Sequence, residues 1–156
     1  MSADSTTRPL IGRANRNRET DCCLAQYTVG TVSTHVSDVY QRFREICLSL
    51  PETSEIFVDA WGHPTFRDGA KLKMFASCSS RDAERPGLGM KVELAHQQAL
   101  VHTDSRFTVA AYVGKHGWIN MDARDPVDWD HVRELVLESY CLNAPKRLAK
   151  QVAPGT

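Results

Sequence analysis

The 156-residue chain lacks any apolar run near the ~20 residues that a membrane-spanning helix needs. It also lacks a compact apolar segment behind its N-terminal arginines, which Asp4, Glu19 and Asp21 interrupt. A secretory leader and a membrane partner are therefore not expected, and the cytoplasm is the expected compartment. Cysteines are few and unpatterned. Cys22 and Cys23 are adjacent, Cys47, Cys78 and Cys141 are scattered, and no C-x-x-C zinc or redox motif occurs. Cys47 and Cys141 fall on apolar faces of predicted helices, where inert buried thiols are expected.

Net charge is absent too, with 19 basic residues against 19 acidic ones. That balance argues against a polyanion binder driven by bulk charge. No glycine-rich phosphate cradle or G-x-S-x-G elbow occurs, and Gly87-Leu88-Gly89 is too short for a dinucleotide fingerprint. The histidines His35, His63, His96, His102, His116 and His131 form neither H-x-x-x-H nor H-E-x-x-H. Asp122, Asp125, Asp128 and Asp130 lack the glycine and final glutamate of a calcium loop. Helix-start chemistry accounts for Asp125 and Asp128. No catalytic residue, metal or cofactor is expected, and a non-enzymatic role is preferred to an enzymatic one.

The apolar fraction of 42% and the length suit one soluble domain with its own core. Residues 1–33 are rich in Ser, Thr, Arg and Asn without periodicity, and are expected to form a flexible extension. The domain proper is expected over residues 34–152. Ser37 as N-cap, an apolar stripe of Val39, Phe43, Ile46, Cys47 and Leu50, and Pro51 as terminator predict a helix over 37–50. Short strands are predicted at 65–67, 72–77, 88–93, 107–113 and 118–122, with a short helix near 94–101. A last main helix is expected to be capped by Asp125, with Pro126 at its first position and Trp129, Val132, Val136 and Tyr140 as its stripe. A basic helix over 146–151 follows. This order predicts an α+β fold, an antiparallel sheet with helices packed on one face.

Alternation assigns the faces. Leu72, Met74, Ala76, Leu88, Met90, Val92, Ile119 and Met121 are expected to meet the helices. Lys71, Lys73, Phe75, Lys91 and Trp118 are then expected on the opposite, open face. Lysines interleaved with aromatics suit nucleic acid, as cations for phosphate and rings for bases. Basic residues dominate between Arg67 and Lys91, and carboxylates dominate between Asp122 and Glu138.

Five segments carry a resemblance. They are Trp61-Gly62-His63-Pro64-Thr65-Phe66, Lys73-Met74-Phe75-Ala76, Gly89-Met90-Lys91-Val92, Tyr112-Val113-Gly114-Lys115-His116-Gly117-Trp118 and Ser139-Tyr140. In order and spacing the chain resembles the MmcQ/YjbR family over about residues 37–151. The resemblance implies a frataxin-like two-layer sandwich and a DNA-binding role without known reaction or cofactor. It points to Lys73, Phe75, Lys91, Lys115 and Trp118 as contact residues. Iron binding, which the frataxin-like fold raises, is disfavoured because Arg42 and Arg44 offset Asp38 and Glu45 in the first helix. DNA is the expected partner. The alternatives are a small-molecule pocket near Trp61, His63, Phe75 and Trp118, and a partner protein docked on the acidic last helix.

Overall fold

The computed structural model describes residues 37–69, 71–124 and 126–153. Helix α1 (Asp38–Leu48) begins at Ser37, whose hydroxyl accepts from the Tyr40 amide at 3.1 Å. Four strands follow, β1 (Thr53–Val58), β2 (His63–Asp68), β3 (Lys73–Cys78) and β4 (Gly87–Lys91). Helix α2 (Leu94–Thr103) leads to β5 (Phe107–Val109) and β6 (Trp118–Asp122), and α3 (Trp129–Asn143) and α4 (Lys146–Val152) close the domain. The expected extension over 1–33 lies outside the described residues, as does Asp125. The capping carboxylate of α3 is Asp128, which accepts from the His131 amide at 3.1 Å.

All strand pairs are antiparallel, in the order β1-β2-β3-β4-β6-β5. The α+β expectation therefore holds. Strand β1, which sequence patterning passed over, adds a sixth strand at one edge. The predicted strand over 107–113 shortens to three residues because Ala111 to Val113 turn and Tyr112 has a φ of 64°.

Phe66 meets Phe43 of α1 edge-on at 5.7 Å, which fixes the helix-facing side of β2. Across the sheet that side carries Ala76, Cys78, Leu88, Met90, Ile119, Met121 and Phe107, all buried. Val132, Leu135, Val136 and Tyr140 of α3 cover them. Each such large apolar side chain stabilises the fold by roughly 1.5–3 kcal/mol relative to exposure. Helix α2 joins the same layer, since His96 and Glu138 of α3 meet at 2.7 Å.

One irregularity decides how the sheet is closed. Phe66 pairs with Ala76 but Arg67 pairs with Met74, so Phe75 is the extra residue of a β-bulge. The bulge turns Phe75 inward, where it is fully buried and edge-on to Tyr140 at 5.3 Å. On the other side of β3 the ladder to β4 ends at Ala76 and Met90. The next pair, Phe75 and Lys91, is bridged by a side chain. The Ser139 hydroxyl donates to the Phe75 carbonyl and accepts from the Lys91 amide at 2.8 Å. The neighbouring Tyr140 hydroxyl donates to the Pro51 carbonyl at 2.5 Å, tying α3 to the loop before β1.

Replacing Ser139 by Ala strips partners from two backbone groups at once. Urea denaturation should show a loss of about 2–3 kcal/mol for Ser139→Ala. A loss under about 0.5 kcal/mol, the level of an ordinary surface change, would mean that the strands close without the hydroxyl.

Candidate functional site

The sequence-predicted residues gather at one end of the sheet, although not on one face. Lys73 opens β3, Lys91 ends β4 and Trp118 opens β6; Lys91 pairs directly with Trp118, and Lys73 lies at the same end of the sheet, three residues beyond the last β3–β4 pair. From β3 to β6 is two strand spacings, roughly 10 Å. Lys71 stands in the turn before β3 and Lys115 in a short 3-10 turn, Gly114–His116, before β6. Lys71, Lys73 and Lys115 are exposed and Lys91 is half-buried. Among the described residues no lysine takes part in an ion pair, whereas Arg44, Arg81, Arg85, Arg106, Arg124, Arg133 and Arg147 all do.

The face assignment is corrected by the bulge. Lys73 pairs with Asp68, which shares its side of β2 with Phe66, so Lys73 stands toward the helix layer. Phe75 is buried beneath Tyr140 rather than displayed. Lys91 and Trp118 are register partners on the side away from the helices, as the alternation implied. Trp118 is nevertheless only 8% exposed, and its carbonyl accepts from the buried Gln97 amide at 2.9 Å. Neither aromatic offers a free ring.

The glycines around Lys115 are scaffold. Gly117 has a φ of 92°, and a Cβ there would lie 2.1 Å from the Val92 carbonyl oxygen. That close approach lets the Val92 amide reach the Gly117 carbonyl at 2.9 Å.

The alternative pocket does not assemble. Trp61 is 55% exposed and its ring lies 5.7 Å from that of His63, tilted by 31°. Yet His63 opens β2 while Trp118 opens β6, three strands away and at the opposite end of the strands.

A different cavity lies beside the lysines. Asp68, Lys71 and Lys73 face the break between α3 and α4 at Asn143, Ala144 and Pro145, enclosing about 150 Å³. Asn143 donates from Nδ2 to the Ser139 carbonyl at 2.7 Å, which fixes its amide over the space. Asp68 is fully buried, and both carboxylate oxygens lack a hydrogen-bond partner among the described residues. Burial pushes its pKa above the usual carboxylate value, and the neighbouring Lys73 opposes that shift. Asp68-Gly69 carries a turn signal in the sequence, and that signal masks Asp68 as a buried carboxylate. The available signal was its period-2 spacing from Phe66, which puts a carboxylate on an apolar face.

Other charge concentrations serve the fold. Glu55 accepts from the Tyr40 hydroxyl and from Arg44 at 2.7 Å, with Arg81 at 3.6 Å. Burial and that bond push the Tyr40 phenol up to about 12. Among the described residues no three His, Cys, Asp or Glu side chains cluster as a metal would require, and no helix is long and apolar enough to cross a membrane. Cys47 and Cys78 are buried free thiols with raised pKa, and Cys141 is partly buried.

Asp68 gives a pH signature. Its folded pKa lies above the unfolded value, so the unfolded chain holds fewer protons between the two. Stability therefore falls as pH rises through that window and stays lower above it. Asp68→Asn should raise Tm by a few degrees at pH 7, with the gain shrinking toward about pH 4. A lower Tm at pH 7 would instead show that the carboxylate has a stabilising partner.

Comparison with known proteins agrees with this architecture. The structure of protein DR2400 from Deinococcus radiodurans, with its domain DUF419, superposes with a TM-score of 0.61 at 22% identity. The match covers 70% of this chain and 80% of that one, and shows a shared fold. No curated protein matches the chain. The YjbR family model matches residues 48–142, from the end of α1 through nearly all of α3, including the Ser139 bridge and the bulged strand. That span exceeds half of the sequence, and the chain belongs to the YjbR family.

Proposed function

We propose that this chain is a non-enzymatic DNA-binding or regulatory domain that contacts phosphates through the lysine-bearing end of its sheet. The observation that supports this reading is the convergence of Lys71, Lys73, Lys91 and Lys115 on that end, with no ion pair to any of them among the described residues. An ammonium not already paired is available to replace a phosphate counterion. The zero net charge keeps the attraction local, so affinity is modest and strongly dependent on salt.

Burial of Phe75 and Trp118 changes the expected mode. Base stacking needs exposed rings, and these two are closed in. The contact is then to backbone phosphate, with little preference for single strands or for sequence.

Fluorescence anisotropy with a labelled duplex, and with its single strand, tests the reading across low to moderate salt. Binding should weaken steeply with salt, and Lys73→Ala with Lys91→Ala should reduce the slope of log K against log salt by about 1–2. A flat titration at low ionic strength, or a slope unchanged in the double variant, would overturn it.

A further inference from the structure

We propose that the Tyr112 side chain enters the minor groove of duplex DNA and gives the domain a preference for A·T over G·C pairs. This contact rests on the phosphate binding proposed above and adds to it a residue that reaches base edges. Phe75 and Trp118 are closed in, but Tyr112 is 97% exposed. The other tyrosines of the described residues are spent. The Tyr40 hydroxyl donates to Glu55 and the Tyr140 hydroxyl to the Pro51 carbonyl. Tyr112 thus carries the one exposed phenol among the described residues.

Tyr112 stands at the apex of the loop between β5 and β6. Its φ of 64°, with the Val113 amide bonded to the Ala111 carbonyl at 2.7 Å, makes a positive-φ γ-turn, the strained form of that turn. A residue with a β-carbon keeps such a conformation only where its surroundings hold it. They do so here. The Gly114 amide reaches the Ala110 carbonyl at 2.9 Å, and the buried Gln97 amide donates to the Gly114 and Trp118 carbonyls at 2.8 and 2.9 Å. Val109 lies against Gly114, where a Cβ would come within 2.2 Å of the Val109 Cγ1. The ring is therefore held out by a fixed loop, so little ordering is lost when it binds.

The surroundings of the ring match a groove between two phosphate chains. The loop stands at the lysine-bearing end, since the Val92 amide bonds the Gly117 carbonyl at 2.9 Å and Lys91 Cγ lies 3.8 Å from where a Gly117 Cβ would be. Exposed Lys115 follows Tyr112 by three residues, within ~11 Å by chain reach. Val109 and Val113, also exposed, border the turn and suit the deoxyribose walls of a groove. The minor groove, about 6 Å wide and about 7.5 Å deep, admits one side chain but no helix. At A·T pairs its floor offers only acceptors, which the phenol hydroxyl meets as a donor. At G·C pairs the guanine amino group stands in the way. A·T-rich grooves are also narrower and more negative, which favours the adjoining ammonium groups. A lone ring with aliphatic neighbours differs from the series of rings that tracks a single strand.

Fluorescence anisotropy of the full chain on equal-length duplexes with A·T, G·C or I·C cores tests this, because inosine lacks the guanine amino group. The A·T and I·C duplexes should bind about fivefold to tenfold more tightly than the G·C duplex. Tyr112→Ala should bring the three within about twofold of one another, with the salt slope of log K unchanged because no cation is lost. Tyr112→Gly, which relieves the positive φ, should lose the same preference with the fold intact by circular dichroism. Three results overturn the proposal: equal affinity for the three duplexes, a preference that survives both substitutions, or tighter binding of either single strand of the A·T duplex. No binding of any duplex at low salt sinks the phosphate contact itself and this one with it. Binding without preference sinks this one alone.

Discussion

The Ser139 hydroxyl is the contact on which the rest of this domain depends. The β3–β4 ladder ends at Ala76 and Met90, beside the bulge that β3 makes against β2, which would leave a carbonyl and an amide without partners inside the sheet. Ser139 satisfies both, using its proton toward Phe75 and a lone pair toward Lys91. Because that hydroxyl comes from α3, the repair of the sheet also sets the height and rotation of the main helix. Tyr140, one residue on, then packs on Phe75 and reaches the Pro51 carbonyl. The same helix turn thus closes the sheet and clamps the chain between α1 and β1.

The consequences for function run outward from that clamp. Turning Phe75 inward moves Lys73 to the helix side, against Asp68 and the end of α3. Lys91 stays on the other side, partnered by Trp118. The result is a basic end rather than a basic face, wrapping from the helix layer to the far side of the sheet. In the mode proposed above, such an edge would meet a phosphate backbone rather than stack on bases, since the Phe75 and Trp118 rings are spent on the core. Next to it sits the one fully buried carboxylate of the described residues, an expense to stability that packing does not explain.

Much of the architecture was legible in the residues. Ser37 as a cap, the stripe of Phe43, Ile46 and Cys47, the turn after Asp68 and the Trp118 strand all carry local signals strong enough to survive tertiary context. Strand β1 was not legible, because Thr53–Val58 is an edge strand, half-buried throughout except at exposed Phe57, and shows no sharp alternation. The cap of α3 shifted from Asp125 to Asp128 because two aspartates stand within one turn and only the backbone path selects between them.

The sequence by itself determined the α+β class, the order of the elements apart from β1, and the family, since caps, turns and periodicity are local properties of neighbouring residues. Only the tertiary structure decided which way Lys73 and Phe75 point and where Asp68 lies. A single extra residue in β3 reverses alternation from that point on, and nothing local marks it. The bulged residue is bonded by Ser139, 64 residues further along. A contact of that range exists only once the domain has folded, and it is the one that sets the positions of the lysines and the buried acid.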